Sequence, residues 1–161
     1  MKSFKRALSL VLLLVMMVSI LVIPASAASS AMVSRFRGFR QTSTGNYISG
    51  YASAAQSFLL GYSGTSSIIA NSGGVDGMFG AKTAEAAAIF QRNQGLAADG
   101  IIGPDTWGAM GSYLSESTSG STTTFRVGGR SAFSAVYSSS TYNFYYHNTS
   151  GSRSGLFHTS Y

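Results

Sequence analysis

Chemistry-bearing side chains are sparse in this chain, and the two best matched are Asp76 and Asp99, each followed directly by glycine. Paired carboxylates are what hydrolysis of a glycosidic bond requires, one on each side of the scissile bond. Aspartate before glycine is also the ordinary composition of a tight turn, where the carboxylate bonds to nearby backbone. The imidazoles are His147 and His158, and no Asp or Glu follows Glu116, so a zinc site would need the tail to fold back onto the centre of the chain. Cysteine is absent, which excludes thiol peptidases and thiol transpeptidases, since the thiolate is their nucleophile. Serine is abundant but carries no meaning without a base beside it. On these grounds no catalytic residue, metal ligand or cofactor is assigned.

The elements that position the two aspartates are more informative than the aspartates. Asp76-Gly77-Met78-Phe79-Gly80-Ala81-Lys82-Thr83 and Asp99-Gly100-Ile101-Ile102-Gly103-Pro104-Asp105-Thr106 follow one scheme. Asp-Gly makes a turn, two apolar residues pin the loop to a core, and glycine caps a helix that has threonine in its first turn. Helices are expected accordingly. Tyr51, Ala55, Phe58, Leu59 and Tyr62 fall at helical spacing, and residues 63–74 read as a loop with Ile68 and Ile69 as an apolar plug. An alanine-rich helix over 81–94 stops at Gly95, with Leu96 placed for the capping contact. A third helix starts at Pro104 and turns Trp107, Met110, Gly111 and Leu114 inward. Gly108 and Gly111 cost that helix roughly 1 kcal/mol each relative to alanine, so it depends on packing, and either glycine suits a close helix approach.

The flanks read differently. Lys2, Lys5 and Arg6 precede an apolar run over 7–23 and an A-x-A site at Ala25-Ser26-Ala27, the order of a secretory signal peptide with cleavage after Ala27. The run is also nearly long enough to stay as a membrane anchor. Cleavage removes three basic residues and no acid, taking the formal charge from +6 to +3, so the basicity belongs partly to the signal and is weak ground for nucleic-acid binding. Residues 28–50 read as a flexible basic and aromatic arm around Arg35-Phe36-Arg37-Gly38-Phe39-Arg40. Residues 115–124 read as a Ser/Thr-rich linker, and 125–161 as an aromatic, polar tail able to form a short β-hairpin but only marginally stable alone. The expected fold class is therefore mainly α, a small three-helix bundle over 51–114.

The segment VDGMFGAKTAEAAAIFQRNQGLAADGIIGPDTWGAM, residues 75–110, resembles the bacterial peptidoglycan-binding module found beside cell-wall hydrolases. The likeness lies in the VDG-x-FG-x-x-T entry, the A-x-x-x-FQ stretch and the GL-x-x-DG-x-x-GP-x-TW entry. Ala52, Ala55, Gln56, Leu59, Gly61 and Tyr62 fit the module's first helix more loosely, and the loop over 63–74 is longer than the module generally has.

That resemblance implies non-covalent attachment to peptidoglycan; the signal segment makes the protein an exported one, and the missing catalytic chemistry makes it not an enzyme. Candidate ligand contacts by position are Tyr62, Arg92, Asn93, Asp99 and Gly100, with Gln91 and Trp107 as lesser ones. Each also has a purely structural reading: Asp99 as a turn former, Trp107 as core, Gln91 as a packed and internally bonded amide. Implied partners are peptidoglycan, anionic wall polymers or a separate wall hydrolase, without nucleic acid, and with the membrane only through an uncleaved signal segment. Two other classes stay open. One is a wall, coat or matrix protein that assembles through Tyr137, Tyr142, Phe144, Tyr145 and Tyr146; the other is a hydrolase whose active site the sequence does not reveal.

Overall fold

The computed structural model describes residues 26–45 and 50–160, so most of the signal-peptide segment lies outside the described residues. Among the described residues no helix is long and apolar enough to cross a membrane. In chain order the elements are β1 (Ser26–Ala27), α1 (Ser30–Arg37), α2 (Gly50–Gly61), α3 (Ser66–Asn71), α4 (Ala81–Asn93), α5 (Pro104–Tyr113), β2 (Ser115–Ser119), β3 (Thr122–Val127), β4 (Arg130–Ser138), β5 (Thr141–His147) and β6 (Arg153–Ser160). All six strands form one antiparallel sheet in sequence order.

The expectation of a mainly α three-helix bundle is thus wrong: the structure is a layer of helices on an antiparallel meander. The sheet forms because the tail alternates. Phe125, Phe133, Phe144 and Phe157 are all buried against the helices, and Ser117, Thr124, Ser134, Tyr145 and Leu156 lie opposite one another across β2 to β6 on the other face. Two-residue loops join the first hairpins: Gly120-Ser121, Gly128-Gly129 and Ser139-Ser140, with positive φ at Gly120 and at both positions of the other two. The segment expected to be a linker, 115–124, is β2 and the start of β3.

The expected flexible arm is also corrected. Ser29 caps α1 by accepting from the Met32 N–H, and Phe36 and Phe39 sit in the core. The Phe36 ring lies 5.2 Å from that of Phe125 and 5.9 Å from those of Phe133 and Phe144; Phe39 lies 5.4 Å from Trp107 and 5.0 Å from Phe157. These two residues therefore join the helices to the sheet. The close approach is made at Gly111 in α5, where a Cβ would come within 2.4 Å of the Phe36 ring. Gly61, at the end of α2, meets Val127 in the same manner.

Helix α2 is central. Every residue from Ala52 to Leu59 is buried, because one face meets the other helices and the opposite face meets β3 to β6; the Ser57 hydroxyl donates to the Ala132 carbonyl. The loop expected over 63–74 contains α3, seated by Ile69, while Ile68 is only half-buried.

Candidate functional site

Each Asp-Gly turn is organised by a buried glutamine from the preceding long helix. In α2, the Gln56 amide nitrogen donates to Asp76 Oδ1 (2.7 Å), the Met78 carbonyl (3.1 Å) and Thr83 Oγ1 (3.2 Å), and its oxygen accepts from the Gly77 N–H (2.8 Å). In α4, Gln91 makes the same contacts with Asp99 (2.9 Å), Ile101 (2.8 Å), Thr106 (3.0 Å) and Gly100 (2.9 Å). Asp76 and Asp99 then accept from the N–H two residues on, both at 2.8 Å. Gly77 and Gly100 have φ of 78° and 73°, a region side chains disfavour. In each entry the second apolar residue, Phe79 or Ile102, is fully buried, and the first, Met78 or Ile101, is exposed. Only one of the two expected pins reaches the core.

The exposed residue forms one wall of a shallow groove at the mouth of the following helix. At α5 the groove encloses about 210 Å3 and is lined by Gln41, Leu96, Asp99, Ile101, Pro104 and Asp105 above Gln91 and Thr106. A matching groove of about 230 Å3 at α4 includes Asp76, Met78, Lys82 and Thr83. Both are smaller than the roughly 300–1,000 Å3 pockets that enclose drug-sized ligands. The charge differs: Lys82 occupies the place that Asp105 has in the α5 groove. Asp105 is bonded to Arg37 at 2.6 Å in an exposed ion pair.

Gln41 had no signal in the sequence. It reaches the α5 groove because Thr42 exchanges two backbone hydrogen bonds with Ile102, which lays the segment after α1 across the second entry. Leu96, Ile101 and Pro104 serve the helix entries as cap contact, pin and helix start, and Asp105 stands beside them in the repeat, so nothing in their spacing marks them as the lining of a groove.

The structure brings Gln91, Asp99 and Gly100 together and separates the other candidates. Gln91 and Asp99 line the groove, and Gly100 is buried behind it against the Ala84 backbone. Trp107 is fully buried, its ring N–H donating to the Arg40 carbonyl. Tyr62 is nearly buried among Phe58, Phe90 and Tyr113, and its hydroxyl accepts from Asn93. Arg92 and Asn93 are exposed, and neither lines the groove.

The Asp99 carboxyl is held below its ordinary range chiefly by the Ile101 N–H and then by the Gln91 amide. It stays ionised, the opposite of the raised carboxyl that protonates a leaving group. Among the described residues no group of three or more His, Cys, Asp or Glu is placed to hold a metal ion.

His147 and Ser134 form a buried pair. Since the Gly151 carbonyl can only accept, His147 Nδ1 carries the proton, and Nε2 accepts from the Ser134 hydroxyl. Neither groove touches this pair. His158 lies on the helix side of the sheet, 3.0 Å from the Tyr51 hydroxyl.

These features make one compact unit built from two like helix entries. Residues 53–110 match the family model described as Putative peptidoglycan binding domain, which agrees with the resemblance carried by the two turns. No curated protein and no solved structure matches the chain.

Proposed function

We propose that this is an exported, non-catalytic wall protein that holds peptidoglycan in the groove at the start of α5. The family match over 53–110 carries this reading, and the groove supplies chemistry suited to it. Leu96, Ile101 and Pro104 offer an apolar wall for the faces of sugars or for methyl groups. Gln41, Asp99 and Asp105 offer acceptors for the N–H groups of short wall peptides. The low position of the Asp99 carboxyl favours holding a ligand over protonating one. Of the aromatics through which the tail would assemble, Phe144 is buried in the core, whereas Tyr137 is exposed and Tyr142, Tyr145 and Tyr146 are half-buried.

The test is co-sedimentation of residues 26–161 with purified wall sacculi. The expected result is retention in the pellet at low and high salt. Retention should weaken by about fivefold or more in an Ile101→Ser, Asp105→Ala variant that melts like the parent. Protein left in the supernatant at both salts would overturn the reading. A lysis band on a wall zymogram, persisting through repurification, would overturn the non-catalytic part.

A further inference from the structure

The outer face of the sheet, away from the helices and both grooves, carries positive charge that no acidic side chain among the described residues balances. Arg126 donates to the Ser117 hydroxyl at 2.6 Å, and Arg153 lies over the Tyr145 ring at 5.2 Å. Arg130 donates to the Ser131 and Asn148 carbonyls. All three guanidinium groups are close enough to His147 to disfavour its protonated form. They share one surface because Ser117, Thr124, Ser134 and Tyr145 are in register across β2 to β5, and Arg153 pairs with His147 at the adjacent end of β6.

The partners of these arginines are neutral. The five acids of the chain are Asp76, Glu85, Asp99, Asp105 and Glu116. Asp76 and Asp99 bind their turns, Glu85 pairs with Lys82, Asp105 pairs with Arg37, and Glu116 faces the cap of α1. Arg130 is partly desolvated with no acidic side chain among the described residues paired to it, and burial lowers its pKa. A desolvated charge is costly unless paired, so an outside anion is the natural complement. Guanidinium groups present forked donors matched to phosphate oxygens, and several spaced along a sheet suit a linear chain of phosphates better than one small anion.

We propose that Arg126, Arg130 and Arg153 form a second binding surface, for a phosphodiester polymer attached to the peptidoglycan. The choice of a wall polymer rests on the wall-binding reading; the unbalanced charge does not. Two contacts of different chemistry on one scaffold would make retention in the wall bivalent.

The experiment compares binding of residues 26–161 to native sacculi and to sacculi stripped of phosphodiester polymer. The protein is expected to bind native walls about tenfold more tightly at low salt, an advantage lost at high salt because binding releases counter-ions from the polyanion. An Arg126→Gln, Arg153→Gln variant should bind both preparations as the parent binds stripped walls. Arg130 is left intact because its backbone bonds serve the fold, and an unchanged melting temperature shows that the variant is folded. Equal binding of the parent to both walls, or a variant that keeps the native-wall advantage, would overturn the proposal. So would anionic phospholipid vesicles that strip the parent, but not the variant, from native walls, since the surface would then prefer a membrane. Loss of all binding to stripped walls while native walls are still bound through the arginines would instead refute the groove reading and leave this one standing.

Discussion

Gln56 and Gln91 stand in equivalent places, each spanning from a helix to the Asp-Gly turn ahead of the next helix and making the same four contacts. The two are 2 % and 1 % exposed, so their bonds are made away from water. Gln91→Ala leaves the buried Gly100 N–H without an acceptor and should cost about 2–4 kcal/mol. Gln91→Glu keeps the acceptor but sets a second carboxylate against Asp99 Oδ1, so at neutral pH it should be no more stable than the alanine variant and should recover on acidification. Chemical denaturation at two pH values measures both. A glutamate variant as stable as the parent at pH 7 would show that donation to Asp99 is not what holds the turn.

The helices should not fold without the sheet. Residues 51–114 alone would expose the face of α2 that covers β3 to β6 and would lose Phe36 and Phe39, which pack between α5 and the strands. The 51–114 fragment is expected to show no cooperative thermal transition and to bind a hydrophobic dye, whereas residues 26–161 should melt in one step. Phe36→Ala in the longer chain should cost about 3–5 kcal/mol, the range for a buried aromatic truncated to a cavity. A fragment melting cooperatively near the temperature of the whole chain would make the module independent.

The contrast between turns and sheet explains what could be read beforehand. Both Asp-Gly entries were legible because their determinants lie within eight consecutive residues, and so were α4 and α5, whose alanine content and Pro104 act locally. The sheet is not legible from the tail alone because part of its core comes from residues before it, Phe36, Phe39 and the buried face of α2. Counted alone, the tail has too little apolar surface, but Phe36 and Phe39, read as part of a loose arm, complete it. The paired glycines at 128 and 129 were a hairpin signal, whereas Ser139-Ser140 was not, since serine is not a residue that left-handed backbone selects. In the groove, Gln41 could not have been found from spacing, because it arrives through the pairing of Thr42 with Ile102.

Ser139 and Ser140 have φ of 48° and 68°, and the pairing of Ser138 with Thr141 leaves them as the entire loop. Positive φ at both central positions defines the turn for which Asn-Gly is preferred. Each serine bears a left-handed penalty of roughly 1–2 kcal/mol, less whatever its side chain recovers. Ser139→Asn with Ser140→Gly should therefore raise stability by about 1–2 kcal/mol, a melting shift of roughly 3–8 °C for a domain of this size. Scanning calorimetry reads this directly. An unchanged or lower melting temperature would mean that the serines are not strained in solution.

Acid should weaken the fold before most carboxylates titrate. Burial is the main cause that holds both His147 and His158 below the ordinary 6.5, and for His147 the charges of Arg130, Arg153 and Arg126 act in the same direction against the bond to Gly151. The unfolded chain then binds more protons than the folded one between that ordinary value and the lower folded values, so stability rises with pH across this window. The contribution is complete above about pH 6.5 and is lost as pH falls through the folded values, with a slope of at most about 1.4 kcal/mol per pH unit for each histidine. Denaturant unfolding at pH 8, 7, 6 and 5 should show a plateau and then a decline. In a His147→Gln, His158→Gln variant the decline should shift to the more acidic range where carboxylates protonate, whatever the variant's absolute stability. If parent and variant decline in parallel between pH 7 and 5, the histidines are not the source of the acid sensitivity.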